Sequence, residues 1–120
     1  MTATDQHVGT DADPYYAGDS LELTFDVDQP DGTAKDLTGA TVSWAVASRP
    51  GDTPALDDGD AGVTLTISDA ANGEVTVTVD AGATSDLSGL YYHELEVEDA
   101  SGAVDTVARG EFTVTPDVIA

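Results

Sequence analysis

Apolar and polar residues alternate strictly from Leu21 to Val27, and no other pattern in the chain restricts its folding so severely. Leu21, Leu23, Phe25 and Val27 are separated by Glu22, Thr24 and Asp26. Successive side chains of an extended strand point to opposite faces, so the run reads as a half-buried strand. The same period returns in Val42, Trp44 and Val46, in Val63, Leu65 and Ile67, and in Val75, Val77 and Val79. It returns again in Tyr91, His93, Leu95 and Val97, which alternate with Tyr92, Glu94, Glu96 and Glu98. A sixth strand is expected over 103–108 and a seventh over 111–115, with Phe112 and Val114 inward. Arg109-Gly110 between them reads as a break or bulge. Pro30-Asp31-Gly32, Asn72-Gly73 and Asp99-Ala100-Ser101-Gly102 have the chemistry of turns, and 48–62, rich in Gly, Pro and Asp, reads as a loop.

About seven short strands with no useful helical period predict an all-β fold, an immunoglobulin-like antiparallel β-sandwich. Trp44 is its expected central aromatic. The strands bound a sandwich over 20–116, preceded by an extended N-terminal arm (1–19) and followed by a short tail (117–120). A chain of 120 residues fits one domain and buries a core without disulfides or a metal.

Charge excludes several functions. Twenty-four acidic residues, mostly Asp, face only Lys35, Arg49 and Arg109, for a formal net charge of −21. Three cations cannot track a phosphate backbone, so no nucleic-acid partner is expected. There is no cysteine, hence no disulfide or thiol chemistry. No apolar run approaches the length of a membrane helix, and the polar, acidic N-terminus resembles neither a signal nor a transit peptide. No membrane partner is expected. Acids spread through regular β patterns, with Ala, Thr and Val abundant and Lys nearly absent, indicate a salt-adapted surface.

Residues that chemistry could use are few. His7 lies in the arm, and His93, on an apolar strand face, reads as a packed core histidine with bonded nitrogens. Ser20 and Ser88 lie near acids but in no Gly-x-Ser-x-Gly elbow, and no phosphate loop or dinucleotide fingerprint occurs. No catalytic residue is assigned, and the chain reads as a non-enzyme. Asp57, Asp58 and Asp60 cluster hard oxygen donors in a loop, so calcium is the one cofactor the residues suggest. The register of an EF-hand is absent, and Asp11 and Asp13 make a weaker pair. Tyr15 and Tyr16 are the expected partner-binding anchors of the arm, since aromatic residues bury large area at low entropic cost.

Four segments resemble a known family in order. Ala17-Gly18-Asp19-Ser20-Leu21-Glu22-Leu23 resembles the opening strand of Ig-like domains in tailed-phage proteins. Asp36-Leu37-Thr38-Gly39-Ala40-Thr41-Val42 is similar to the lead into their next strand. The runs from Ser88 to Val97 and from Arg109 to Val118 are similar to their last two strands. The family is the Ig-like N-terminal domain of upper-baseplate and tail-fibre proteins, and the likeness covers residues 17–118. One departure is Ala17, where the family has a basic residue. The resemblance, with the acidic composition, implies a virion structural protein of a haloarchaeal tailed virus, in the tail, baseplate or fibre. Its partners would be other virion proteins, with further copies of itself in a symmetric assembly. A capsid decoration (turret or head-surface) protein and an archaeal cell-surface adhesion module are the alternatives. The family's domain supplies no catalytic residue to carry over.

The charge generates the first prediction. At about 1 M salt the Debye length is about 3 Å, which removes most of the self-repulsion of a polyanion. The melting temperature is therefore expected to rise steeply between about 50 mM and about 2 M sodium chloride. Equal melting temperatures at the two ends of the series contradict a salt-adapted surface.

Overall fold

Alternation alone does not say which strands meet, and the chain answers by crossing repeatedly between two sheets. The computed structural model describes residues 4–118. In chain order the strands are β1 (Thr4–Asp5), β2 (Tyr15–Tyr16), β3 (Leu21–Asp26), β4 (Thr41–Ala47) and β5 (Leu56–Asp57). They continue with β6 (Val63–Asp69), β7 (Glu74–Val79), β8 (Gly89–Glu98) and β9 (Val104–Thr115). One sheet has the order β1-β9-β8-β4-β5, with β2 also on β9; the other has the order β3-β7-β6. The pairs within the main body are antiparallel, while β1 and β2 run parallel to β9. With β3 in one sheet, β4 in the other, β6 and β7 back in the first and β8 and β9 in the second, this is the Ig-like sandwich. No α-helix occurs among the described residues.

The core lies where the alternating faces meet. Val75, Val77 and Val79 of β7 are wholly buried, and β-branched side chains suit a central strand flanked on both edges. Facing them are Trp44, Val46, Leu95, Val97, Phe112 and Val114, with the buried His93 among them. Trp44 sits at the centre in edge-on contact with Phe112 and His93, at centroid separations of 6.1 and 6.2 Å.

The fold departs from the sequence expectation in four places. First, the sixth and seventh runs form one twelve-residue strand, β9, and Gly110 does not break it. The register shift falls elsewhere: Leu95 pairs with Ala108 but Glu96 with Thr106, leaving Val107 as the extra residue. The bulge turns Val107 and Ala108, neighbours in sequence, both into the core.

Second, the arm expected at 1–19 is not separate from the sandwich over its described part. Gln6 and Val8 donate backbone bonds to Arg109 O (2.8 Å) and Glu111 O (2.9 Å), and Thr113 donates to Val8 O (2.9 Å). Ala17 continues the ladder onto Thr115 O (2.9 Å). Val8, Tyr15 and Ala17 belong to the core, so no boundary exists at residue 19. Scattered apolar residues with no period of their own gave no strand signal, because pairing to β9 rather than alternation holds them. Residues 1–3 of the arm and 119–120 of the tail lie outside the described residues.

Third, the loop at 48–62 contains β5, which pairs with Ala45 and Val46 and buries Leu56. Fourth, Leu65 and Ile67 face inward but are only half-buried, because β6 is an outer strand.

Two glycines admit the arm. A Cβ on Gly110 would run into the Gln6 carbonyl, and one on Gly9 (φ 77°) into the Thr113 carbonyl. Gly110→Ala is therefore expected to lift the arm from β9. Losing the buried bond that Gln6 accepts costs on the order of 1–3 kcal/mol. Amide exchange at Gln6 and Val8 should accelerate well beyond that at β7; unchanged protection of those two amides argues against this docking.

Candidate functional site

The titratable residue deepest in the fold is His93, 1% exposed on β8 between Val46 of β4 and Gly110 of β9. Trp44 Nε1–H donates to His93 Nδ1 at 3.1 Å. An indole nitrogen only donates, so Nδ1 is the acceptor and Nε2 carries the imidazole proton. That proton is donated to the Gln6 carbonyl at 2.6 Å. Gly110, beside His93 in the sheet, leaves the space that this carbonyl fills.

Turning the Gln6 carbonyl inward removes it from the parallel ladder. The Glu111 N–H, its natural donor, bonds instead to His7 Nδ1 at 3.0 Å. Both histidines thus serve the docking of the arm, one from inside the sandwich and one from outside. Burial pulls the His93 pKa below its ordinary 6.5, opposed by the bond to Gln6 and assisted by nearby His7. A neutral imidazole with both nitrogens engaged is a packing element, in line with its reading from the apolar strand face.

The two tyrosines, adjacent on β2, point to opposite faces of the sheet. Tyr15 is buried against Phe112, with ring centroids 5.7 Å apart. Its hydroxyl donates to Asp19 O (2.7 Å) and accepts from Thr84 Oγ1 (2.8 Å), which in turn accepts the Gly18 N–H (2.9 Å). Burial raises the Tyr15 pKa, the Thr84 bond opposes this and the Asp19 charge adds to it. The expectation that Tyr15 anchors a partner is corrected: pairing with Val114 of β9 turns its ring into the core of its own sandwich. Tyr16, 41% exposed, is the one of the pair that faces outward.

The candidate calcium ligands are also used locally. Asp58 Oδ1 accepts the Trp44 N–H at 3.0 Å and so closes the edge of β4 beyond β5. Asp57 Oδ1 accepts from Gly59 N (2.8 Å), and Asp60 Oδ2 from Asp57 N (2.9 Å). Among the described residues no group of three His, Cys, Asp or Glu side chains is placed to hold a metal. The loop builds its own turn with these carboxylates, which corrects the assignment of Asp57, Asp58 and Asp60 to a shared ion. Asp11 and Asp13 are exposed and belong to no such group.

Other acids do the same work. Asp31, Asp36 and Asp99 each accept a backbone N–H and a hydroxyl from Thr33, Thr38 and Ser101 two residues on. In each case the hydroxyl bond is the largest cause of a lowered carboxyl pKa. The signal was present as Asp-x-Thr or Asp-x-Ser at three turns, a side-chain mimic of a backbone turn. Gln6 and Thr84 had no such signal, since their roles depend on partners 87 and 66 positions away or more.

Two unlike faces remain for contact with other molecules. The outer face of the larger sheet carries Glu94, Glu96 and Glu98 along β8, with Arg109 across from Glu94. Toward the start of β8 it becomes apolar, with Leu90 (48% exposed), and Tyr16 lies on β2 at the same end of the sheet. The smaller sheet instead presents hydroxyls: Thr66, Thr76 and Thr24 form one cross-strand row, and Thr64 and Thr78 run into Glu22 in the next.

No family model matches the chain, and no curated protein does. Among solved structures the chain is similar to CopC from Methylosinus trichosporium OB3b, with 17% identity and a TM-score of 0.45. That alignment covers 96% of this chain and 86% of the other, and a likeness so distant carries no argument about function. The all-β sandwich stands on the strand order itself.

His93 generates a pH prediction. Its folded pKa lies below its unfolded value, so unfolding takes up a proton once the pH falls below about 6.5. The associated stability is complete above that pH and is lost as the pH drops toward the folded pKa. The loss approaches about 1.4 kcal/mol per pH unit. In high salt, His93→Gln should flatten the decline in denaturation midpoint between about pH 7 and about pH 5 relative to the parent. The carboxylates titrate in both proteins, so parallel curves contradict a neutral buried imidazole.

Proposed function

We propose that this chain is a non-enzymatic structural module of a haloarchaeal tailed virus, located in the tail, baseplate or fibre. The observation that carries the reading is where the four family-like segments fall in the fold. Asp36–Val42 leads into β4, Ser88–Val97 covers most of β8, and Arg109–Val118 covers the second half of β9 and its continuation. These three strands are neighbours in one sheet, and Ala17–Leu23 joins that sheet's edge to the start of β3. Segments far apart in sequence thus occupy one contiguous architectural unit.

The chemistry of the residues supports the same reading. His93, Tyr15 and the loop aspartates are engaged in holding the fold, and the outer faces of the two sheets are exposed. Such faces suit rigid docking to other virion proteins and to further copies in a symmetric assembly. Tyr16 and Leu90 toward one end of the larger sheet, with Val104 at the start of β9, are exposed apolar side chains on an outer face otherwise rich in acids.

The test is made on purified particles. Mass spectrometry should find the chain as a repeated subunit, and immunogold should label tails. Labelling confined to heads moves the reading to capsid decoration, and absence from particles refutes it. Tyr16→Ala should fold normally yet incorporate poorly. Tyr15→Ala should instead destabilise the domain by about 3–5 kcal/mol, as expected for truncating a buried aromatic.

A further inference from the structure

We propose that β6 is a self-docking edge, on which a second copy of this chain adds its own β6 antiparallel across a two-fold axis. β6 is an outer strand, paired on one side to β7. Natural outer strands are defended by charge, proline, a bulge or short length. From Val63 to Ser68 this one carries neither charge nor proline, and its bulge lies at the far end, between Ile67 and Asp69. The other outer strands are defended: β3 carries Glu22 and Asp26, and β1, β2 and β5 are two residues long.

The sequence of β6 is complementary to itself. Val63-Thr64-Leu65-Thr66-Ile67 reads apolar, Thr, apolar, Thr, apolar in either direction. Antiparallel pairing centred on Leu65 sets Val63 against the second copy's Ile67, Leu65 against Leu65, and Thr64 against Thr66. The existing neighbour already shows that such pairs fit, because β7 meets β6 through Thr64–Thr78, Leu65–Val77 and Thr66–Thr76. Leu65 and Ile67 are half-buried where the valines of β7 are wholly buried, so a further strand would complete their cover. An isologous contact requires just this self-complementarity.

Charge selects the second copy as occupant under salt. Two chains at −21 repel at low ionic strength, but at about 1 M salt only groups within about 3 Å still feel one another. From Val63 to Ser68 the side chains that would meet are uncharged. One strand pair is a small interface, so the dimer should be reversible and concentration-dependent. The inference is independent of any virion role.

Sedimentation equilibrium of the full chain in about 2 M sodium chloride tests it. The mass should rise from 12.2 kDa toward twice that value with concentration, and amide exchange within 64–67 should slow in step. Thr64→Asp/Thr66→Asp places like charges directly opposite each other on the exposed face and should weaken the dimer at least about tenfold. Ser20→Asp/Thr24→Asp adds the same charge near β3 and should leave it intact. Native Trp44 fluorescence in each variant reports that the fold survives. A chain that stays monomeric, a dimer that resists the β6 substitutions, or protection gained only outside β6 overturns the proposal.

Discussion

The bond from His93 Nε2 to the Gln6 carbonyl ties the N-terminal arm to the interior of the sandwich, beyond the backbone ladder that pairs it with β9. An imidazole at the centre of an apolar sandwich must satisfy both nitrogens, since a buried polar group left unpaired costs on the order of 1–3 kcal/mol. Trp44 satisfies one from β4, and the arm must supply the other. Gly110 opens the space, His7 repairs the ladder that the turned carbonyl interrupts, and the Tyr15–Thr84 bond fastens the arm's far end. Among the described residues, no buried side-chain nitrogen or oxygen lacks a partner. That completeness is what a polar group in a low-dielectric core demands.

The acidic surface follows a second economy. The fold draws little on ion pairing: the Arg49–Asp52 pair lies exposed at 3.4 Å, where such contacts contribute little. Aspartate serves as a turn-building acceptor instead, at Asp31, Asp36, Asp57, Asp60 and Asp99, with Asp58 closing a strand edge. A carboxylate that accepts local N–H and O–H donors keeps its charge at the surface while fixing the backbone. The chain can therefore be strongly acidic and still define its hairpins, leaving mutual repulsion to be screened by salt.

Uneven charge also distinguishes the two sheets. Glutamates line the outer face of β8, whereas threonines line β6 and β7. Each arises from the outward half of a period-two pattern, so neither face disturbs the core behind it. The two outer faces can therefore differ in chemistry without any change to the interior.

Period two settled much by itself. It located the bodies of β3, β4, β6, β7 and β8, their inward faces, the burial of Trp44 and His93, and with them the sandwich class, because alternation is a local property of the pleat. The turns at Pro30-Asp31-Gly32 and Asp99-Ala100-Ser101-Gly102 were legible from local residue chemistry as well, although the role of their aspartates as side-chain acceptors emerged only from geometry. The tertiary structure decided everything that depends on who lies alongside. It merged the last two runs into β9 and moved the bulge to Val107. It turned the arm into an edge strand, gave Tyr15 to the core and Tyr16 to solvent, and distributed the loop aspartates to separate backbone donors. None of these could be read locally, since each is fixed by a hydrogen-bond partner distant in sequence or by a neighbouring strand whose register no short window contains.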